Sequence, residues 1–185
     1  MNRESSKKMT LIALAVVINY IGGQIALMLR LPIYLDSIGT ILIGALLGPW
    51  CGLLPAFLSG ILGGITTDIY AIYFMPVGMI TGLVTGYVFK KGLLKRWKMP
   101  LGTAIITIPG TVLSASISAF LFGGATSSGS SFFVLFLRKI GLNTVASAFV
   151  IQIFTDYADR ILSIALVLMV LAVVPKELQT VRKES

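Results

Sequence analysis

Lys90-Lys91-Gly92-Leu93-Leu94-Lys95-Arg96-Trp97-Lys98 is the stretch on which the reading of the fold turns. Its cations interrupt an otherwise apolar sequence that runs up to Phe89 and resumes at Met99. Two further basic clusters lie near the ends of the chain, Arg3, Lys7 and Lys8 at one and Lys176, Arg182 and Lys183 at the other. Long apolar runs separate the three. Positive charge beside membrane spans stays on the cytoplasmic side. The pattern therefore predicts a multi-pass protein of the cell membrane, with both termini and the 90–98 loop cytoplasmic.

Composition agrees. Hydrophobic residues make up 56% of the 185-residue chain, and mean hydropathy is +0.95, more apolar surface than a soluble domain of this size can hide. The net charge of +8 sits beside spans, where it meets anionic lipid headgroups, so no nucleic-acid partner is expected. There is no His, and Cys51 is the single cysteine. Internal disulfides, Cys/His metal sites and His-dependent nucleophile systems are thereby excluded.

Apolar length predicts an all-α integral membrane protein, a bundle of six transmembrane helices in a single domain over residues 1–185. The spans fall at about 9–29, 37–47, 52–65, 76–89, 100–122 and 156–174. The first is read as a retained helix rather than a cleaved leader. Six crossings keep both termini inside, which makes 123–155 a long external segment before the last helix, with residues 142–154 external, re-entrant or part of a span. Residues 123–131 are rich in Gly, Ser and Thr and read as a flexible loop. Small residues recur at every fourth position: Gly52, Ala56, Gly60 and Gly64, then Gly78, Gly82 and Gly86, then Ala115, Ala119 and Gly123. Such ridges let helices approach closely in lipid, within the bundle or against a partner subunit.

The outward side gathers the remaining polar residues: Arg30, Tyr34, Asp36, Asp68, Tyr70, Tyr73, Arg138, Asn143, Asp156, Asp159 and Arg160. Ionisable groups at membrane depth are costly and point to function, although these acids and bases can also neutralise one another, and the tyrosines also suit an interfacial belt. No one sign of charge dominates the set, which disfavours a strongly charged ligand. The chain has no Gly-x-x-x-x-Gly-Lys-Ser/Thr phosphate loop, and no acid is placed in mid-span as an ion-coupled carrier requires.

Two stretches carry a family resemblance. Tyr34-Leu-Asp-Ser-Ile-Gly-Thr-Ile-Leu-Ile-Gly-Ala-Leu-Leu-Gly-Pro-Trp50 is similar to the loop 1 to span 2 region of the substrate-binding S components of energy-coupling factor (ECF) vitamin transporters. Asp156-Tyr-Ala-Asp-Arg-Ile-Leu-Ser163 is similar to the start of their last helix. The resemblance implies a subunit that captures a vitamin outside, with cobalamin or a precursor favoured and pyridoxine-like, pantothenate-like and pyrimidine ligands open. It implies delivery of that ligand inward with a membrane-coupling T subunit and two ATPase subunits. This chain would not be an enzyme and would bind no cofactor; ATP and magnesium would belong to the partners. Substrate-binding residues would be Tyr34, Asp36, Asp68, Tyr70, Tyr73, Asn143, Asp159 and Arg160. The family's Ala-x-x-x-Ala docking motif on span 1 is not reproduced: Ala15 pairs with Asn19 and Gly22 with Ala26. Docking then falls to Ala13, Ala15, Gly22 and Ala26. The rival readings are a membrane scaffold or sensor without transport, and an enzyme with a divalent metal on Asp156 and Asp159.

Overall fold

A computed structural model describes residues 3–94 and 96–174. Lys95, Lys176, Arg182 and Lys183, and with them the C-terminal basic cluster, lie outside the described residues, as does Pro175, the expected end of the last span. The described chain is helical: α1 (Arg3–Met28), α2 (Ile38–Leu47), α3 (Pro49–Thr66), α4 (Tyr70–Lys90), α5 (Met99–Ser116), α6 (Ser130–Lys139) and α7 (Thr144–Val173). A 3-10 turn (Arg96–Lys98) precedes α5, and a π-helical turn (Ile117–Leu121) extends it.

Among the described residues, four helices are long and apolar enough to cross a membrane: Glu4–Met28, Pro49–Thr66, Tyr70–Lys90 and Met99–Leu121. α2 is apolar but short. It is apolar all round, and its residues from Gly39 to Leu47 are buried. It packs against α1, α3, α4 and α7 and forms the axis of the bundle. The polarity is that of a protein solvated by lipid. Leu14, Val17 and Ile21 on α1, Ile108 and Val112 on α5, and Met169 and Val173 on α7 point outward. Asn19, Thr40, Thr81, Thr85, Thr103, Ser147, Asp159 and Ser163 are fully or almost fully buried. Thr81, Thr103 and Thr107 donate their hydroxyls to the carbonyl four residues back, which lets them sit inside helices away from water.

The small-residue ridges of α3 and α4 are consumed inside the chain. A Cβ on Gly82 would stand 2.0 Å from the Gly52 carbonyl oxygen, and one on Gly86 2.3 Å from the Pro49 nitrogen. α3 and α4 thus meet backbone to backbone. The residues expected to dock a partner are placed differently. Ala15 is fully buried, with its carbonyl against Gly39 of α2. Gly22 faces the carbonyl of Leu35, and Ala26 is buried. Only Ala13 of the four is exposed. Their small size brings α1 onto α2 and loop 1.

Two helices start earlier than expected. α4 begins at Tyr70 and carries Pro76 inside it. The proline falls within the first two turns, where few intrahelical bonds are lost, so Tyr70 and Tyr73 are helical rather than in a loop. α7 begins at Thr144, not near 156. Asn143 caps it, accepting a hydrogen bond from the Ala146 amide at 2.8 Å. Asp156 and Asp159 therefore lie in the middle of a helix of 30 residues, roughly 45 Å long, and not at its start. The segment between α5 and α7 is correspondingly shorter and contains α6. Acids do occur in mid-helix, contrary to the sequence expectation.

Gly82→Ala is expected to lower stability by about 1–3 kcal/mol, because the added methyl meets backbone on the facing helix. At Gly23 the nearest atom to an added Cβ is 3.5 Å away, so Gly23→Ala should leave the melting temperature unchanged or raise it slightly. Melting of the two variants in detergent tests the assignment of the α3–α4 seam; equal effects would refute it.

Candidate functional site

The site is built on Asp159. Its carboxylate accepts the backbone N–H of Tyr34 at 3.0 Å and of Leu35 at 2.8 Å, the Ser37 hydroxyl at 3.3 Å, and Arg160 as an ion pair. The Arg160 guanidinium also donates to the Ser37 hydroxyl at 2.6 Å. Asp159 is fully buried and Arg160 nearly so. The pairing satisfies both charges where neither meets water, and it fastens loop 1 to α7. Leu35 is held at φ 55°, a left-handed conformation that a branched side chain rarely adopts. The Asp159 bond to its N–H and the packing of its carbonyl against Gly22 hold it there.

Beneath loop 1 lies a cavity of about 160 Å³. α1 contributes Tyr20 and Gln24, α3 contributes Ser59 and Gly60, and α4 contributes Tyr70, Phe74 and Met75. Its floor comes from α5 and α7: Ser114, Gln152, Asp156 and Arg160. Asp156 accepts the Thr111 and Ser114 hydroxyls on one oxygen, both at 2.9 Å. The Ser114 hydroxyl also hydrogen-bonds the Gln152 side-chain amide. Over the mouth runs the chain between α5 and α6. Ser127 donates to Asp68, Tyr34 and Ser130 share a hydroxyl bond of 3.3 Å, and Gly129 packs on the Arg30 carbonyl. Gly123 and Gly124, at φ 58° and 83°, turn the chain into this strap.

Of the residues expected to bind substrate, Tyr34, Asp36, Asp68, Tyr70 and Arg160 are brought together around the cavity. Three are not. Asp159 stands behind the wall and shapes it. Tyr73 lies outside the lining and packs edge-on against Phe122, with ring centroids 5.2 Å apart. Asn143 is the α7 cap and is removed from the cavity. Arg138 binds the Gly123 carbonyl at 2.7 Å, also away from it. The charge balance expected from the sequence changes accordingly. Asp36, Asp68 and Asp156 line the cavity against the single cation Arg160, itself paired with Asp159, and the balance is acidic. Gln24, Ser114 and Gln152 had escaped the sequence reading.

Asp36 lines the cavity, and part of its surface stays open. Burial first, and then the carboxylate of Asp159, push its pKa up to about 6 against the pull of Arg160. The Tyr34 hydroxyl is raised above its ordinary value by burial and then by Asp156.

The chain matches the family described as ECF transporter, substrate-specific component, over residues 7–171. That is nearly its whole length, and the chain belongs to this family of multi-pass membrane proteins, whose members are the substrate-binding subunits of transporters. No curated protein and no solved structure matches it.

Asp159→Asn removes the charge that compensates Arg160 and is expected to cost about 3–5 kcal/mol, read as a fall in melting temperature. Because the pKa of Asp36 is raised, the fold favours its neutral form. That stabilisation is complete below about pH 4 and is lost as pH rises through about 6. The melting temperature should therefore fall less between pH 4 and 7 in Asp36→Asn than in the parent; identical profiles would exclude the shift.

Proposed function

We propose that this chain is the capture subunit of an ATP-driven uptake transporter, binding a vitamin-sized molecule in the cavity under loop 1 and the strap. The observation that carries the proposal is a partly covered cavity, mainly apolar with a few placed polar groups, at one end of a bundle whose outer surface is apolar. Small ligands are held in such concave sites by apolar walls with a few placed polar groups. A scaffold or sensor has no need of a cavity covered by two loops. An Asp156/Asp159 metal site is disfavoured because the two carboxylates are engaged by different sets of donors.

The topology supports an outward-facing site. The cavity lies where α1, α3 and α5 end and where α2 and α4 begin. At the other end lie Lys90, Lys91 and Lys98, with Lys90 against the α2–α3 turn at Gly48, and Lys7 and Lys8 at the start of α1. Trp50 and Trp97 are both strongly exposed at that end, as interfacial residues are. Positive charge facing the cytoplasm sets the cavity outside. With α2 and α7 counted as crossings, six spans return both termini to the cytoplasm. α7 qualifies because its charged residues turn inward. The T subunit and the two ATPase subunits follow from the family; they supply the ATP and magnesium chemistry, and this chain is not an enzyme. The family leaves the vitamin open, cobalamin or a precursor among the candidates, and the acidic balance of the lining favours a cargo that is not anionic.

Purified chain in detergent is expected to bind one vitamin of a panel by calorimetry, and to support its ATP-dependent uptake when reconstituted with T and ATPase subunits. Folded protein that binds nothing, and no uptake, would overturn the proposal. In a variant lacking Cys51, an impermeant maleimide should label Ser127→Cys in intact cells, and Lys91→Cys only after permeabilisation. The reverse pattern would invert the topology.

A further inference from the structure

Hydrogen-bonding capacity on the cavity floor is left unspent in a specific pattern. Asp156 uses one carboxylate oxygen for Thr111 and Ser114. Its other oxygen has no hydrogen-bond partner among the described residues, and the Gln152 side-chain amide meets only the Ser114 hydroxyl. Both residues are only 4% exposed, and both line the cavity. They stand one helical turn apart on the same face of α7. Their remaining capacity is open to the cavity, where a ligand can take it up.

Acidic groups also surround the ligand space. Asp36 and Asp68 face it with Asp156, and the one lining cation, Arg160, already pairs with Asp159. Tyr20, Tyr34, Tyr70 and Phe74 supply aromatic wall. Such rings suit a flat ring ligand, and their faces attract positive charge.

Resting on the capture reading above, we infer that the ligand is a small nitrogen heterocycle carrying an amino group or a positive charge, docked through that group on Asp156 with the side-chain amide of Gln152 beside it. The ligand's N–H donates to the free oxygen of Asp156, and the Gln152 amide bonds a neighbouring polar atom of the ligand. Anionic vitamins are disfavoured, because a carboxylate would meet three others and the one lining cation, Arg160, is already paired with Asp159.

Calorimetry on the purified full chain tests this with three groups of probes. Thiamin, 4-amino-5-hydroxymethyl-2-methylpyrimidine and pyridoxamine carry the amino group or charge. Pyridoxine is neutral. Pantothenate, biotin and 4-pyridoxate are anionic. A member of the first group should bind, and the anionic probes should not. Asp156→Asn keeps an acceptor for Thr111 and Ser114. It should weaken the amino or cationic ligand about 10- to 100-fold while leaving the melting temperature of the free protein nearly unchanged. Gln152→Leu should weaken the same ligand about 3- to 10-fold. Tight binding of pantothenate or biotin would overturn this inference and leave the capture reading standing. The same holds if a bound ligand ignores both substitutions in folded protein. Folded protein that binds no probe would overturn both.

Discussion

The Asp159 carboxylate is the contact on which the rest of the site depends. A buried anion inside an apolar bundle is tolerable only when donors surround it, and here two backbone amides, a hydroxyl and a guanidinium do so. Those donors come from opposite ends of the sequence. Satisfying the charge therefore pulls loop 1 down onto α7 and holds Leu35 in a conformation it would otherwise leave. It also fixes Arg160, so that this cation is spent before a ligand arrives. The carboxylates of Asp36 and Asp156 then set the electrostatics of the cavity.

The cavity exists because of the same small residues that tighten the bundle. Toward the basic end, Gly44, Gly52, Gly82 and Gly86 bring α2, α3 and α4 into backbone contact. Toward the other end Gly60, Gly63 and Gly78 face the side chains of Met75, Ala71 and Ala56 rather than backbone, and they also line the cavity. α1 is kept in place by Asn19, which accepts from the Gly39 amide at 2.8 Å and donates to the Thr40 hydroxyl at 2.7 Å. One pattern of small side chains thus serves close packing below and room for a ligand above.

Much of this was legible in the sequence. The basic loop at 90–98 and the apolar runs announced a membrane bundle, and the Tyr34 and Asp156 stretches announced the family. What failed was local. Residues 142–154 were parted from the last span to keep six crossings with both termini inside. Asn143, an N-cap residue ahead of an apolar helix, was the available signal. Once the helix is continuous, Gln152, Asp156 and Arg160 fall at four-residue spacing on one face, and the cavity floor becomes readable. Ala15, Gly22 and Ala26 could not be assigned from spacing, since a ridge buried against α2 and one bared to a partner have the same periodicity. The placement of Asp159 behind the wall required tertiary contacts between loop 1 and α7, which no local pattern encodes.

The closures above and below the cavity differ in kind. The floor is a buried network of Asp156, Ser114, Thr111 and Gln152 between packed helices; opening it would part α5 from α7 and strand a carboxylate in apolar surroundings. The strap is held by hydroxyl contacts at Ser127 and Ser130, the first of them exposed. Such bonds contribute only about 0.5–1.5 kcal/mol each net of water, and the strap leaves through the glycines at 123 and 124, whose backbones can rotate. Loop 1 is fastened to α7 by the Asp159 charge, and the strap rests on it through Gly129 at Arg30 and the Tyr34–Ser130 bond. The wall of the cavity and its cover are thus separate pieces of chain held by interactions of unequal strength.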